Sequence, residues 1–234
     1  MKTLDNLYKY CSRLNPNAEI IEYNDEVTYV KNIFQDPDSM VDFQSLLSKW
    51  ESCGNAKPGI MSLKIPYWTG NDIANEILDI GDEVQYKRTE VEFFYFYWNN
   101  ICMDANIKSL VSNNCFLPHT DAPPDIEMTT SIIGLVNLNK RPVKTGFWSF
   151  YGNVVADTEE MIDECYEYCA GIDYNNINEK TNNGILDNIF NIEYNYNEAI
   201  FYNSLCFHQP IIDKHYTREN PRIMMRFGYI LDNE

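Results

Sequence analysis

"VEFFYFYWNNI", residues 91–101, is built almost wholly from aromatic and aliphatic side chains and contains no glycine or proline. Such a run reads as a strand, because aromatic and β-branched residues lose rotamer freedom in a helix and pack well on a pleated surface. The same texture recurs downstream in "MTTSIIGLVNLN" (128–139), "GFWSFYGNVV" (146–155), "LDNIFNIEYNY" (186–196), "NEAIFYNS" (197–204) and "PRIMMRFGYIL" (221–231). Each segment is short, apolar and bounded by Gly, Pro, Asn or Asp. Many short strands closing on themselves predict a barrel-like sandwich or jelly roll.

Upstream of residue 91 the pattern is mixed. "EVTYVKNIF" (26–34) reads as a strand. "DPDSMVDFQSLLSKWES" (36–52) opens with capping residues and repeats apolar side chains at Met40, Phe43, Leu46, Leu47 and Trp50, which predicts a helix. "TGNDIANEILDIGDEV" (69–84) predicts another, with Ile73, Ile77 and Ile80 on one face and Gly81 as its stop. One more helix is expected over "ADTEEMIDECYEYCAG" (156–171). The expected architecture is α+β: a jelly-roll core with N-terminal helices packed on one face. The expected organisation is a single domain over 1–234, with 1–90 supporting a core of 91–234.

The composition narrows the partners. The chain has 234 residues, enough for a real core, and a formal net charge of −17. A surface so acidic repels phosphate backbones, so nucleic acid is not expected as a partner. Lys140, Arg141 and Lys144 cluster in "NLNKRPVKTG", which reads as a solvated loop. The first residues lack the apolar core of a secretory signal, and no run approaches a membrane span. Seven cysteines without a repeating pattern suggest free thiols in a reducing compartment, hence a cytoplasmic expectation. Cys165 and Cys169 fall on one helix face and read as buried thiols rather than a zinc site.

The chemistry starts at "CFLPHTDAPP" (115–124), which holds one of only three histidines. His119 and Asp121 stand two apart, and in a strand i and i+2 share a face. With 35 acidic residues in the chain the pair alone is weak. A third donor is available at His208, in the strand-like "IFYNSLCFHQPI" (200–211). Two imidazoles and one carboxylate leave open positions on a metal, an arrangement suited to non-haem Fe(II). The other reading of His208 is a satisfied core histidine. His215, in the polar "DKHYTREN", is expected to be exposed. Arg222, Met224, Arg226 and Gly228 fall on one face of the last strand. Two arginines there need partners, either acids of the chain or a bound oxoacid held bidentately.

The order His119-x-Asp121, His208, Arg222 resembles that of the Fe(II)- and 2-oxoglutarate-dependent dioxygenases. "GFWSFYGN" stands where that family often has a Gly-rich aromatic strand, and residues 27–47 resemble the lead-in of its prolyl-hydroxylase-like members. The resemblance covers roughly residues 27–231. It implies a double-stranded β-helix, with Fe(II) on His119, Asp121 and His208. It also implies 2-oxoglutarate on Arg222 or Arg226, O2 as oxidant, and room for ascorbate. The implied activity is hydroxylation of a peptidyl side chain or a small amino-acid-like molecule, with release of succinate and CO2. "DAPPDIEM" would form a rim loop at the mouth. The chain departs from the family's pattern in a long gap between His208 and Arg222 and in "KTGFW" replacing the usual glycine pair. Two alternatives stay open: a catalytically inactive jelly-roll binding or assembly module, and a zinc hydrolase on a cupin-like barrel.

Overall fold

The computed structural model describes residues 15–39, 41, 50–52, 60–62, 65–66, 91–101, 117–121, 131–172, 181–211 and 222–231. Among the described residues, five strands precede residue 91: β1 (Glu19–Asn24), β2 (Val27–Lys31), β3 (Trp50–Ser52), β4 (Ile60–Ser62) and β5 (Ile65–Pro66). Then come β6 (Val91–Ile101), β7 (Ser131–Asn137), β8 (Val143–Phe150) and the helix α1 (Glu159–Ala170). The chain continues through β9 (Leu186–Tyr194), β10 (Glu198–Asn203), β11 (His208–Ile211) and β12 (Arg222–Leu231).

Two antiparallel sheets form. The larger runs β1-β2-β10-β7-β12-β6-β4-β3, with β5 also on β6. The smaller runs β11-β8-β9. Strands from before and after residue 91 therefore share one sheet. The chain switches sheets repeatedly, from β7 to β8 and from β9 to β10, as a jelly roll requires.

Turn chemistry fixes the registers. Asn24 Oδ1 accepts from the backbone N–H groups of Glu26 (3.0 Å) and Val27 (2.9 Å), closing the β1–β2 hairpin. Between β9 and β10, Asn197 takes a left-handed φ of 64°, which asparagine tolerates well. Its side chain clasps both the N–H and the C=O of Phe34, at 2.9 Å each, and so ties the end of the β2 segment to this turn. Gly146 on β8 answers a close approach: a Cβ there would stand 2.8 Å from Asn191 Oδ1. That contact supplies a local reason for the glycine in "KTGFW".

Among the described residues, two apolar clusters form the core. One fills the space between the sheets with Val27, Ile133, Val143, Phe147, Ile192, Tyr194, Ile200, Tyr202, Cys206 and Met224. The other lies between the small sheet and α1, and joins Trp148, Phe150 and Phe207 to Leu117, Cys165 and Cys169. Helix α1 is capped by Thr158, whose hydroxyl accepts from Met161 N at 3.1 Å. Glu159 and Glu160 in its first turn suit the positive end of the helix dipole. Cys165 and Cys169 are its buried face and are free thiols.

The jelly-roll-like sheets match the expectation from the strand pattern. The N-terminal helices stand differently. Residues 37–39 and 41 are helical, whereas Trp50–Ser52, read as the helix end, is strand β3 paired with β4. Sheet pairing there overrides the helical spacing, and tryptophan suits either state. The helix expected over 69–84 lies outside the described residues. Lys140 and Arg141 are exposed between β7 and β8 as read, whereas Lys144, also exposed, belongs to strand β8 and not to a loop; Lys140 pairs with Asp38 (2.7 Å) and Lys144 with Glu193 (2.9 Å). No helix among the described residues is long and apolar enough to cross a membrane.

Candidate metal centre

The segment 117–121 runs beside β11. His119 and His208 face each other as an antiparallel bridge, with both N–H···O=C distances at 2.9 Å. Directly opposed residues of such a pair project to the same face. The two imidazole rings accordingly lie 4.5 Å apart between centroids. A further backbone bond, Asp121 N–H to Ser204 O at 2.8 Å, holds the carboxylate on the same side. Its Oδ2 stands 3.2 Å from His208 Nε2, and these side chains are only 7% and 5% exposed. His119, Asp121 and His208 each bring a ligand atom within 4.8 Å of the others. Among the described residues they are the one group of three such side chains that does so.

Each ring is oriented by the main chain. His119 Nδ1 is 2.8 Å from Leu117 O, and His208 Nδ1 is 3.0 Å from Cys206 O. A carbonyl oxygen accepts only, so each Nδ1 is the donor, and in a neutral ring that leaves Nε2 with the lone pair. This is the tautomer a metal ligand needs, set by a partner on the far nitrogen. The donors are two imidazole nitrogens and one carboxylate oxygen, with no thiolate among them. Such a set fits a divalent first-row ion, Fe(II) included. A carboxylate this buried is also costly without a cationic or hydrogen-bonded partner.

Tyr166 and Tyr202, which support the site, were not singled out in the sequence. Tyr166 on α1 reaches Thr120, the residue between two candidate ligands. Its hydroxyl lies 3.2 Å from Thr120 O, 3.2 Å from Thr120 Oγ1 and 3.4 Å from Thr120 N. Burial pushes the Tyr166 phenol up, so it remains an O–H donor at neutral pH. Cys169 Sγ–H donates to Pro118 O at 3.7 Å. The hydrogen bond to Cys169, and then burial, push the Cys165 thiol up, which keeps it an inert thiol. Tyr202 on β10 places its hydroxyl 3.1 Å from Asp121 Oδ2 and 3.1 Å from His208 Nε2. No periodic signal marks Tyr202, because β10 is buried on nearly every residue and alternation is lost.

Arg222 and Arg226 occupy β12, between β6 and β7, with Arg226 opposite Leu135 and Tyr97 and Arg222 opposite Ile101. Met224 between them is buried in the inter-sheet cluster. The two arginine side chains, His215 and the segment 122–130 lie outside the described residues.

Solved structures resemble this architecture. SnoN, a non-heme alpha ketoglutarate dependent epimerase from nogalamycin biosynthesis, was solved in complex with Fe3+, alpha ketoglutarate and nogalamycin RO. That structure aligns with 98% of this chain and 84% of its own, at 12% identity and a TM-score of 0.55. The chain shares its fold. SnoK, a non-heme alpha ketoglutarate dependent carbocyclase from the same biosynthesis, covers 89% of this chain and 81% of its own at 8% identity and a TM-score of 0.50. HygX from Streptomyces hygroscopicus, with nickel and 2-oxoglutarate bound, covers 88% and 83% at 10% identity and a TM-score of 0.50. Identities this low carry the fold and not the reaction. No protein-family model matches the chain, and no curated protein matches its sequence.

Proposed function

We propose that the protein is an Fe(II)- and 2-oxoglutarate-dependent oxygenase and that His119, Asp121 and His208 hold its iron. The observation that carries this reading is the buried convergence of two imidazoles, each tied through Nδ1 to a backbone carbonyl, on one carboxylate. The fold of the neighbouring enzymes supports the general class. When bound, the iron supplies the redox chemistry by which O2 converts 2-oxoglutarate to succinate and CO2 and oxidises a substrate C–H bond.

The chain's own residues do the rest. Asp121 offsets part of the cation's charge, and the two neutral imidazoles leave positions for exchangeable ligands. Backbone bonds between 117–121 and β11 preset the spacing of the donors, so little ordering is left for the moment of binding. The inter-sheet cluster around Phe147 and Ile133 keeps bulk water from the buried side of the site. To Arg222 or Arg226 on β12 we assign the far carboxylate of the oxoacid, as a bidentate contact. The substrate class we assign, on the resemblance to prolyl-hydroxylase-like members, is a peptidyl side chain or a small amino-acid-like molecule, with ascorbate as an accessory reductant.

The test is anaerobic addition of Fe(II) and 2-oxoglutarate to the purified chain. A weak visible charge-transfer band is expected, and Asp121→Ala abolishes it. A folded protein without the band contradicts the proposal.

A further inference from the structure

We infer that Tyr166 on α1 is a positioning residue for this centre: its phenol stands in for a neighbouring strand and holds the ligand segment in register before a metal ion arrives. The inference rests on the reading of His119, Asp121 and His208 as a metal set. It adds a residue that acts through Thr120 rather than on the ion.

The segment 117–121 runs along β11, and its backbone alternates as an antiparallel strand does. His119 N–H and C=O both turn to His208, at 2.9 Å each, and Asp121 N–H turns the same way, to Ser204 O at 2.8 Å. The N–H and C=O of Thr120, between them, therefore point to the opposite side. No strand among the described residues pairs with the segment there. Thr120 is only 5% exposed, so its backbone groups need a partner from the protein.

Tyr166 supplies it. Its hydroxyl donates to Thr120 O at 3.2 Å and lies 3.4 Å from Thr120 N and 3.2 Å from Thr120 Oγ1. A phenol has one proton and two lone pairs. The proton goes to the carbonyl, and the lone pairs accept from the amide and the threonine hydroxyl. One side chain thereby serves all three polar atoms of one residue. A second tie comes from the same helix, where Cys169 Sγ–H donates to Pro118 O at 3.7 Å. Residues three apart share a helix face, and Pro118 and Thr120 turn their carbonyls to the same side of the segment. Helix α1 thus meets the ligand segment at two matching points.

His119 and Asp121 flank Thr120. Without the phenolic hydroxyl, a buried N–H and a buried C=O lose their partner. The segment regains one by shifting toward water, and that shift carries both donors with it. Tyr166 therefore keeps the donor spacing in the metal-free protein, so less ordering remains when the ion binds.

The experiment uses the full chain and Co(II), with Thr158→Ala as the control. Thr158 caps the same helix through Met161 N and makes no hydrogen bond to residues 117–121. Tyr166→Phe should weaken Co(II) binding about tenfold. It should also change the visible d–d bands of the saturated protein, which report donor geometry. Thr158→Ala should change neither. Hydrogen exchange on the unmodified, metal-free chain needs no variant: the Thr120 amide should be protected as well as those of His119 and Asp121. Unaltered affinity and bands in folded Tyr166→Phe overturn the inference. An equal loss of affinity in Thr158→Ala does so too, since the helix rather than the phenol would then be responsible. A Thr120 amide that exchanges as fast as in an unfolded chain overturns it as well. Each of these results leaves the three-ligand centre standing. Failure of the unmodified chain to bind Co(II) overturns the metal reading, and this inference with it.

Discussion

The two faces of the small sheet do opposite jobs with adjacent residues. Phe147 points between the sheets toward Tyr202 and His208, while Trp148, the next residue, packs outward under α1. Phe207 and His208 part in the same way. The outer face is apolar and sealed by a helix. Against the inner face, His208, Asp121 and the Tyr202 phenol lie within hydrogen-bonding reach of one another, with the His119 ring beside His208. Strand alternation lets one short sheet separate rigidity from chemistry, so damage to either face has its own signature. The helix also reaches across the boundary, because Tyr166 grips Thr120 between two candidate ligands.

That contrast can be broken from either side. The largest effect is expected from His208→Ala on the inner face. Titration with Co(II) should show affinity falling by more than about 100-fold, beyond what loss of a supporting hydrogen bond costs. On the outer face, Phe150→Ala empties part of the cluster under α1, where Phe150 is 1% exposed. Denaturant unfolding should show a loss of about 3–5 kcal/mol, with metal affinity in the folded protein little changed. Tyr166→Phe tests the crossing point. It should weaken Co(II) binding by about tenfold while stability falls by only about 1 kcal/mol. Thr158→Ala, at the N-cap of α1, should cost about 1 kcal/mol and leave metal affinity unchanged. A large change in metal affinity from Phe150→Ala would mean that the two faces are not separate.

The core strands from β6 onward were legible because their aromatic and β-branched runs are interrupted by Gly, Pro, Asn and Asp at the turns. Helix α1 was legible from its cap and its periodic face. The short strands β3, β4 and β5 were not, since two or three residues carry no period. Trp50 was misplaced because helical spacing across 36–52 outweighed the pairing partner 60–62, which local pattern cannot reveal. At the site, the spacing of His119 and Asp121 and the histidine at 208 were visible, but their meeting was not. It depends on an antiparallel bridge between segments about ninety residues apart, a long-range pairing. Tyr202 and Tyr166 were hidden for related reasons. One sits in a strand buried on both faces, and the other reaches the ligands from a helix on the far side of the sheet.

The central claim is that His119, Asp121 and His208 bind one metal ion. It is tested most directly by a crystal structure of the chain soaked anaerobically with Fe(II) and 2-oxoglutarate, using anomalous scattering at the iron edge. The account predicts one strong peak within bonding distance of both Nε2 atoms and an Asp121 oxygen. A peak elsewhere, or ordered side chains at the triad with no peak despite saturating iron, would contradict it.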